Sequence, residues 1–170
     1  MLDSTFLQTS PIFKGIKAEE FETISFIVDD VTIPNKHHLF KEGAAARSLF
    51  IIRDGEIEIV KESGASPVVL NTLGEGDIFG EMAVIRETTR FSSAIARGHT
   101  SLWTISRDKL DTLRRKDPAL WGSLMYNIAG ILADRLAAVS SKLAAATSGS
   151  AGAAASAPAE RGFWARLMGH

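Results

Sequence analysis

The sequence predicts a mainly β fold with helices at both ends, and three observations predict it. Residues 30–105 break into short apolar runs separated by turn residues, the pattern of an antiparallel barrel or sandwich. In Glu56-Ile57-Glu58-Ile59-Val60-Lys61 charged and apolar residues mostly alternate, as a half-buried strand requires. Outside this region the period changes: Leu120, Leu124, Ile128, Ile131, Leu132, Leu136, Val139 and Leu143 recur at spacings of three and four, one apolar stripe on a helix.

Taken in order, Lys17 to Ile24 reads as a short amphipathic helix after Ser10-Pro11. Asp54-Gly55, between two apolar β-rich runs, predicts a hairpin turn. Gly74, Gly76 and Gly80 mark tight turns or close backbone approaches. Arg107 to about Lys116 predicts a helix, and Asp117-Pro118 opens the next one with an N-cap acid and a proline at the first helical position. That last helix is expected to reach about Ala146, roughly 40 Å at ~1.5 Å per residue. The predicted organisation is N-terminal helices over 1–28, the β domain over 29–106, C-terminal helices over 107–146, and an Ala/Ser/Gly linker with an aromatic and basic tail over 147–170.

The segment richest in chemistry is Phe79-Gly80-Glu81-Met82-Ala83, followed by Arg90, Phe91, Ser92 and Ser93. Gly80 lets the backbone approach a ligand because it has no Cβ. Glu81 is an acceptor for a sugar hydroxyl. Arg90 carries a permanent charge on a planar fork suited to phosphate. Ser92, Ser93 and nearby N–H groups are candidates to complete an anion-binding concavity. Together these groups suit a cyclic phosphate fused to a ribose.

In register, this string resembles the phosphate-binding cassette of the cyclic-nucleotide-binding domain family, whose pattern is roughly Phe-Gly-Glu-(Leu/Met)-Ala, a short excursion, then Arg-x-Ala-(Ser/Thr). The resemblance covers about residues 6–143, and includes Leu39-Phe40-Lys41-Glu42-Gly43, Leu49 to Ile59 and Leu73 to Ile78. It implies a β jelly roll followed by a long C-terminal helix, in a bacterial, catabolite-activator-like form without the helix-turn-helix. It implies a ligand, cyclic AMP ahead of cyclic GMP, and no catalysis or cofactor. The implied ligand-binding residues are Phe79, Gly80, Glu81, Met82, Ala83, Arg90, Phe91 and Ser92. Gly80 gives backbone, Glu81 accepts from the ribose 2′-hydroxyl, Met82 and Ala83 offer N–H groups, and Arg90 pairs with the phosphate. Ser140, on the long helix, falls near the family's base-contacting serine, with a neighbour such as Leu136 as the alternative cap on the base. Phe91 departs from the pattern, standing where relatives carry a small residue or a hydroxyl; its ring faces either the pocket or the barrel. Thr89 replaces a common proline.

The resemblance also implies a homodimer through the long helix and transmission of ligand binding to a protein partner, for which Arg161 to His170 is a candidate docking peptide. The competing expectation is a dimeric scaffold with a vestigial pocket. A formal net charge of −1 gives no global basic field for nucleic acid, so no direct DNA binding is expected. The absence of cysteine excludes disulfides and thiolate metal sites. His37, His38 and His99 lack partners at ligand spacing, so no metal is expected. Neither an eighteen-residue apolar run nor a signal-peptide pattern occurs in these residues, and a cytoplasmic location is the expectation.

Overall fold

The structure is a computed structural model and describes residues 10–62 and 66–150, with side chains described through Thr147. The C-terminal peptide and most of the linker lie outside the described residues. The chain divides into two compact units, Met1–Ile131 and Leu132–His170.

The first unit is an antiparallel β structure flanked by helices. A six-stranded sheet runs in the order β1 (Val28–Ile33), β8 (Ser93–Ser106), β4 (Ser48–Lys61), β5 (Val68–Leu73). β2 (His38–Phe40) also pairs with β8, and β6 (Ile78–Phe79) with β4. A separate two-stranded ribbon joins β3 (Ala45–Ala46) to β7 (Thr88–Thr89). The two fourteen-residue strands β4 and β8 form the spine, paired from Ser48↔Ser106 to Val60↔Ser93.

Four consecutive residues of β4, Leu49 to Ile52, are buried, so this strand is covered on both faces. Phe50 and Ile52 join Ile57, Phe79, Ala94 and Leu102 in the barrel core. Trp103, on the neighbouring position of β8, is buried with its indole N–H donating to Asp30 at 3.1 Å. Each fully buried aliphatic side chain contributes about 1.5–3 kcal/mol.

The Asp54-Gly55 hairpin expectation is overturned. β4 runs straight through both residues, with register shifts against β8 on either side of Asp54. Gly55, at φ +91, is the bulge. A Cβ there would sit 2.7 Å from Thr100 Oγ1 and 2.8 Å from the His99 carbonyl oxygen. The glycine is required by the close approach of β8, not by a chain reversal.

Helices close the barrel. Glu19 and Glu20 form a 3-10 turn with Ala18, and the first α-helix, α1 (Phe21–Ile27), starts four residues later than Lys17. It buries Phe21, Ile24 and Ile27. α2 (Met82–Ile85) packs on β4, and α3 (Arg107–Lys116) packs on β8, α1 and α2. α4 (Pro118–Ser150) begins as expected, with Asp117 Oδ1 accepting from the Leu120 N–H at 3.0 Å. Its first turns bury Leu120, Leu124 and Ile128. Asn127 anchors them by donating to the Ile12 and Lys14 carbonyls, both at 2.9 Å. The helix continues to Ser150, past Ala146, in keeping with the high helix propensity of Ala144 to Ala146; within it the Thr147 hydroxyl donates to the Leu143 carbonyl at 3.0 Å. In the second unit Leu136, Val139 and Leu143 are exposed.

Leu102, on β8 opposite Ile52 of β4, is fully buried, so Leu102→Ala is expected to cost about 2–5 kcal/mol. Urea unfolding measures this as a lowered midpoint with little change in slope.

Candidate functional site

The site is built where β6 ends and the chain turns into α2. Phe79 completes β6, is buried, and stacks on Phe50 with ring centroids 5.3 Å apart. Gly80 follows at φ +73. Glu81 and Ala83 are buried, whereas Met82 is exposed. The Ala83 N–H donates to the Gly80 carbonyl at 3.1 Å, so that amide already has a partner in the turn. Met82 opens α2, where the first amides of a helix lack intrahelical acceptors.

Arg90 returns to this turn from the far side of the excursion, across the β3–β7 ribbon. Its backbone is fixed on both sides: the Arg90 N–H donates to the Ala44 carbonyl and the Gly43 N–H to the Arg90 carbonyl, each at 2.8 Å. The side chain is 8% exposed. Nη2 donates to the Ser48 carbonyl at 2.9 Å. The guanidinium lies over the Phe40 ring at 4.0 Å from its centroid, and 5.4 Å from that of Phe50.

Gly80 and Arg90 determine one another. A Cβ on Gly80 would lie 2.6 Å from Arg90 Nη1 and 3.1 Å from the Ser48 carbonyl oxygen. Glycine is needed twice here, for the positive φ and for the space the guanidinium fills.

The electrostatics of the site are those of a cation short of partners. A guanidinium has five donors. Arg90 Nε is buried and lacks a hydrogen-bond partner. Burial pulls the Arg90 pKa down to about 10, and the Glu81 carboxylate opposes the shift. Arg90 therefore stays charged at neutral pH, at a desolvation cost that an anion would offset. Glu81 is 7% exposed and completes a buried pair of opposite charges at the turn.

The remaining expected residues separate. Phe91 is 58% exposed, so its ring does not lie in the barrel interior. Ser92 is half-buried beside it. Ser93 is fully buried and its hydroxyl is used in the fold: it accepts from the Glu42 N–H at 2.9 Å and donates to the Glu62 carboxylate. Ser140 lies exposed on α4 in the second unit. Among the described residues no cluster of histidine and carboxylate side chains could hold a metal. No helix among them is long and apolar enough to cross a membrane.

Sequence reasoning missed the seat of Arg90, namely Phe40, Phe50 and the Ser48 carbonyl. It also missed Lys61 and Glu42. Lys61 Nζ donates to the Glu42 carboxylate at 2.5 Å and to the Phe91 carbonyl at 2.8 Å.

Gly80→Ala is expected to destabilise the protein by about 1–2 kcal/mol from the left-handed backbone alone, and more if Arg90 stays in place. A lowered thermal midpoint that recovers in part when Arg90→Ala is added would confirm that the two compete for one space. A second expectation concerns pH. Lys61 and then the Glu62 N–H hold the Glu42 carboxyl below its ordinary value of 4.5. A depressed acid contributes stability above the unfolded value and loses it as pH falls through the folded one. The stability difference between the protein and Glu42→Gln is thus expected to be flat from neutrality to about pH 5 and to vanish in stronger acid. Urea titrations of both proteins across this range test this.

Residues 30–117, just over half of the chain, match the cyclic nucleotide-binding domain. The chain is 28% identical over 131 residues to the cyclic AMP receptor protein of Thermus thermophilus, covering 76% of this chain and 59% of that protein. It is 29% identical over 146 residues to glutaminase 1 of Bradyrhizobium diazoefficiens, covering 86% of this chain and 23% of that protein. It thus spans less than two thirds of the length of these relatives. The crystal structure of the Thermus thermophilus catabolite activator protein superposes with a TM-score of 0.72 at 27% identity, over 81% of this chain and 63% of that one. The β4–β8 spine, the Gly80 turn with Arg90 seated against it, and the match over residues 30–117 agree: this chain belongs to the cyclic nucleotide-binding domain family and has its jelly-roll fold.

Proposed function

We propose that this chain binds a 3′,5′-cyclic mononucleotide, cyclic AMP ahead of cyclic GMP, as a regulatory module and not as an enzyme. The observation that carries this is the buried Arg90 guanidinium, charged and short of acceptors, held at a glycine turn beside the buried Glu81. A cyclic phosphate supplies one anionic group to Arg90. The ribose fused to it places a 2′-hydroxyl donor for Glu81. A free phosphate would use only the first contact, and a nucleoside only the second.

In this reading Gly80 and Met82 present backbone to the sugar–phosphate, and Phe79 supports them from the core. Phe91 and Ser92 border the phosphate, and Ser140 is the candidate base contact. Ligand binding would be passed through the C-terminal helix, across a homodimer, to a protein partner. For that to occur the ligand must bind one helix arrangement better than the other. The names of two relatives, a cyclic AMP receptor and a glutaminase, are in keeping with a binding segment attached to different outputs.

Isothermal titration with cyclic AMP, with cyclic GMP and 5′-AMP as controls, tests the reading. Saturable binding of cyclic AMP is expected, and Arg90→Ala is expected to lose about 3–5 kcal/mol of it, as on breaking a buried charged pair. Glu81→Gln is expected to narrow the gap between cyclic AMP and its 2′-deoxy analogue. No binding by well-folded protein would contradict the proposal and favour a scaffold with a vestigial pocket.

A further inference from the structure

A polar chain outside the Arg90 seat converges on the backbone that follows it. The Glu42 carboxylate accepts from Lys61 Nζ at 2.5 Å and from the Glu62 N–H at 2.9 Å. The same lysine donates to the Phe91 carbonyl at 2.8 Å. The Glu42 N–H donates to Ser93 Oγ at 2.9 Å. Residues 90 and 93 are therefore anchored at both ends of a short span: Arg90 to Gly43 and Ala44, Ser93 to Glu42 and Glu62. Between them lie only Phe91 and Ser92, and Lys61 grips the Phe91 carbonyl.

We infer that Lys61, braced by Glu42, is a positioning residue for the ligand site: it sets the plane of the Phe91–Ser92 peptide, and thereby keeps the Phe91 ring outside and the approach to Arg90 open. The inference rests on the cyclic-nucleotide reading. The reasoning is geometric. A trans peptide is planar, so fixing the Phe91 carbonyl toward Lys61 points the Ser92 N–H the opposite way. Rotation of that peptide would change the Phe91 backbone torsions and redirect a ring that is 58% exposed. A lysine alone is a poor anchor, because its stem has many rotamers. The Glu42 carboxylate removes that freedom, and the side chains of this pair are about one-third exposed, covered enough to persist.

Two explanations of a lysine near an anion site must be separated. Lys61 as a distant charge would attract phosphate through solvent, an effect that salt screens within ~3 Å at 1 M. Lys61 as a positioning residue acts through the backbone, which salt does not undo.

The test uses the full chain, with Lys61→Met, Lys61→Arg and Glu42→Gln. Cyclic AMP affinity is measured at low salt and near 1 M salt, together with amide hydrogen exchange at residues 91–93 without ligand. Lys61→Met is expected to weaken binding roughly tenfold at both salt concentrations, equivalent to ~1.4 kcal/mol. Exchange at Ser92 should quicken, and Lys61→Arg should restore both. Glu42→Gln should fall between the protein and Lys61→Met. A loss confined to low salt would overturn the positioning role in favour of long-range attraction. Unchanged affinity and exchange in Lys61→Met would overturn it outright. If the unaltered chain binds no cyclic AMP, the cyclic-nucleotide reading fails and this role falls with it; if it binds and only the variants behave otherwise, the failure is confined to Lys61.

Discussion

The structure of the site depends on burying one guanidinium. Arg90 is withdrawn from water beside the Phe40 and Phe50 rings, with the Ser48 carbonyl accepting from its tip. Taking a charge out of water is expensive unless it is paired. The fold tolerates the cost because the aromatic faces, the Ser48 carbonyl and the Glu81 carboxylate each offset part of it. What remains unmet, including the buried Nε, is an attraction for an anion. Gly80 follows from the same constraint, since any Cβ there would occupy the place of Nη1.

The barrel makes this burial possible by bringing distant segments to one point. Ser48 and Phe50 open β4, Phe79 closes β6, and Arg90 lies just before β8. The pairing Phe50↔Phe79 puts the aromatic floor beneath the turn. The pairing of β3 with β7 and the Gly43 and Ala44 contacts set the height of Arg90 over that floor. The end of β4 then contributes Lys61 and Glu62, which hold the chain after Arg90 together with Glu42. One long strand thus supplies the arginine's seat at one end and the fastening of the following backbone at the other.

Local features of this arrangement were legible in the sequence. The cassette from Phe79 to Ala83, Arg90 after its excursion, the β character of 30–105 and the Asp117 cap all follow from short patterns. What was not legible depends on register between strands. Asp54-Gly55 has the composition of a hairpin turn, but the approach of Thr100 makes it a bulge in a continuous strand. Ser48 lies 42 residues from Arg90, and nothing in its own neighbourhood marks its carbonyl as an acceptor. Ser93 looked available for an anion because it follows the arginine; only tertiary structure engages it with Glu42 and Glu62. Phe91 was open to two orientations, and its 58% exposure excludes the barrel interior.

In the proposed function, Arg90 receives the phosphate of the cyclic nucleotide. Nitrogen-15 NMR of the arginine side chains during titration tests it most directly, with cyclic AMP in one series and adenosine, which has no phosphate, in the other. A saturable shift of the Arg90 guanidinium signals is expected with cyclic AMP and none with adenosine. Equal shifts with both, or binding of cyclic AMP that leaves the Arg90 signals unmoved, would contradict it.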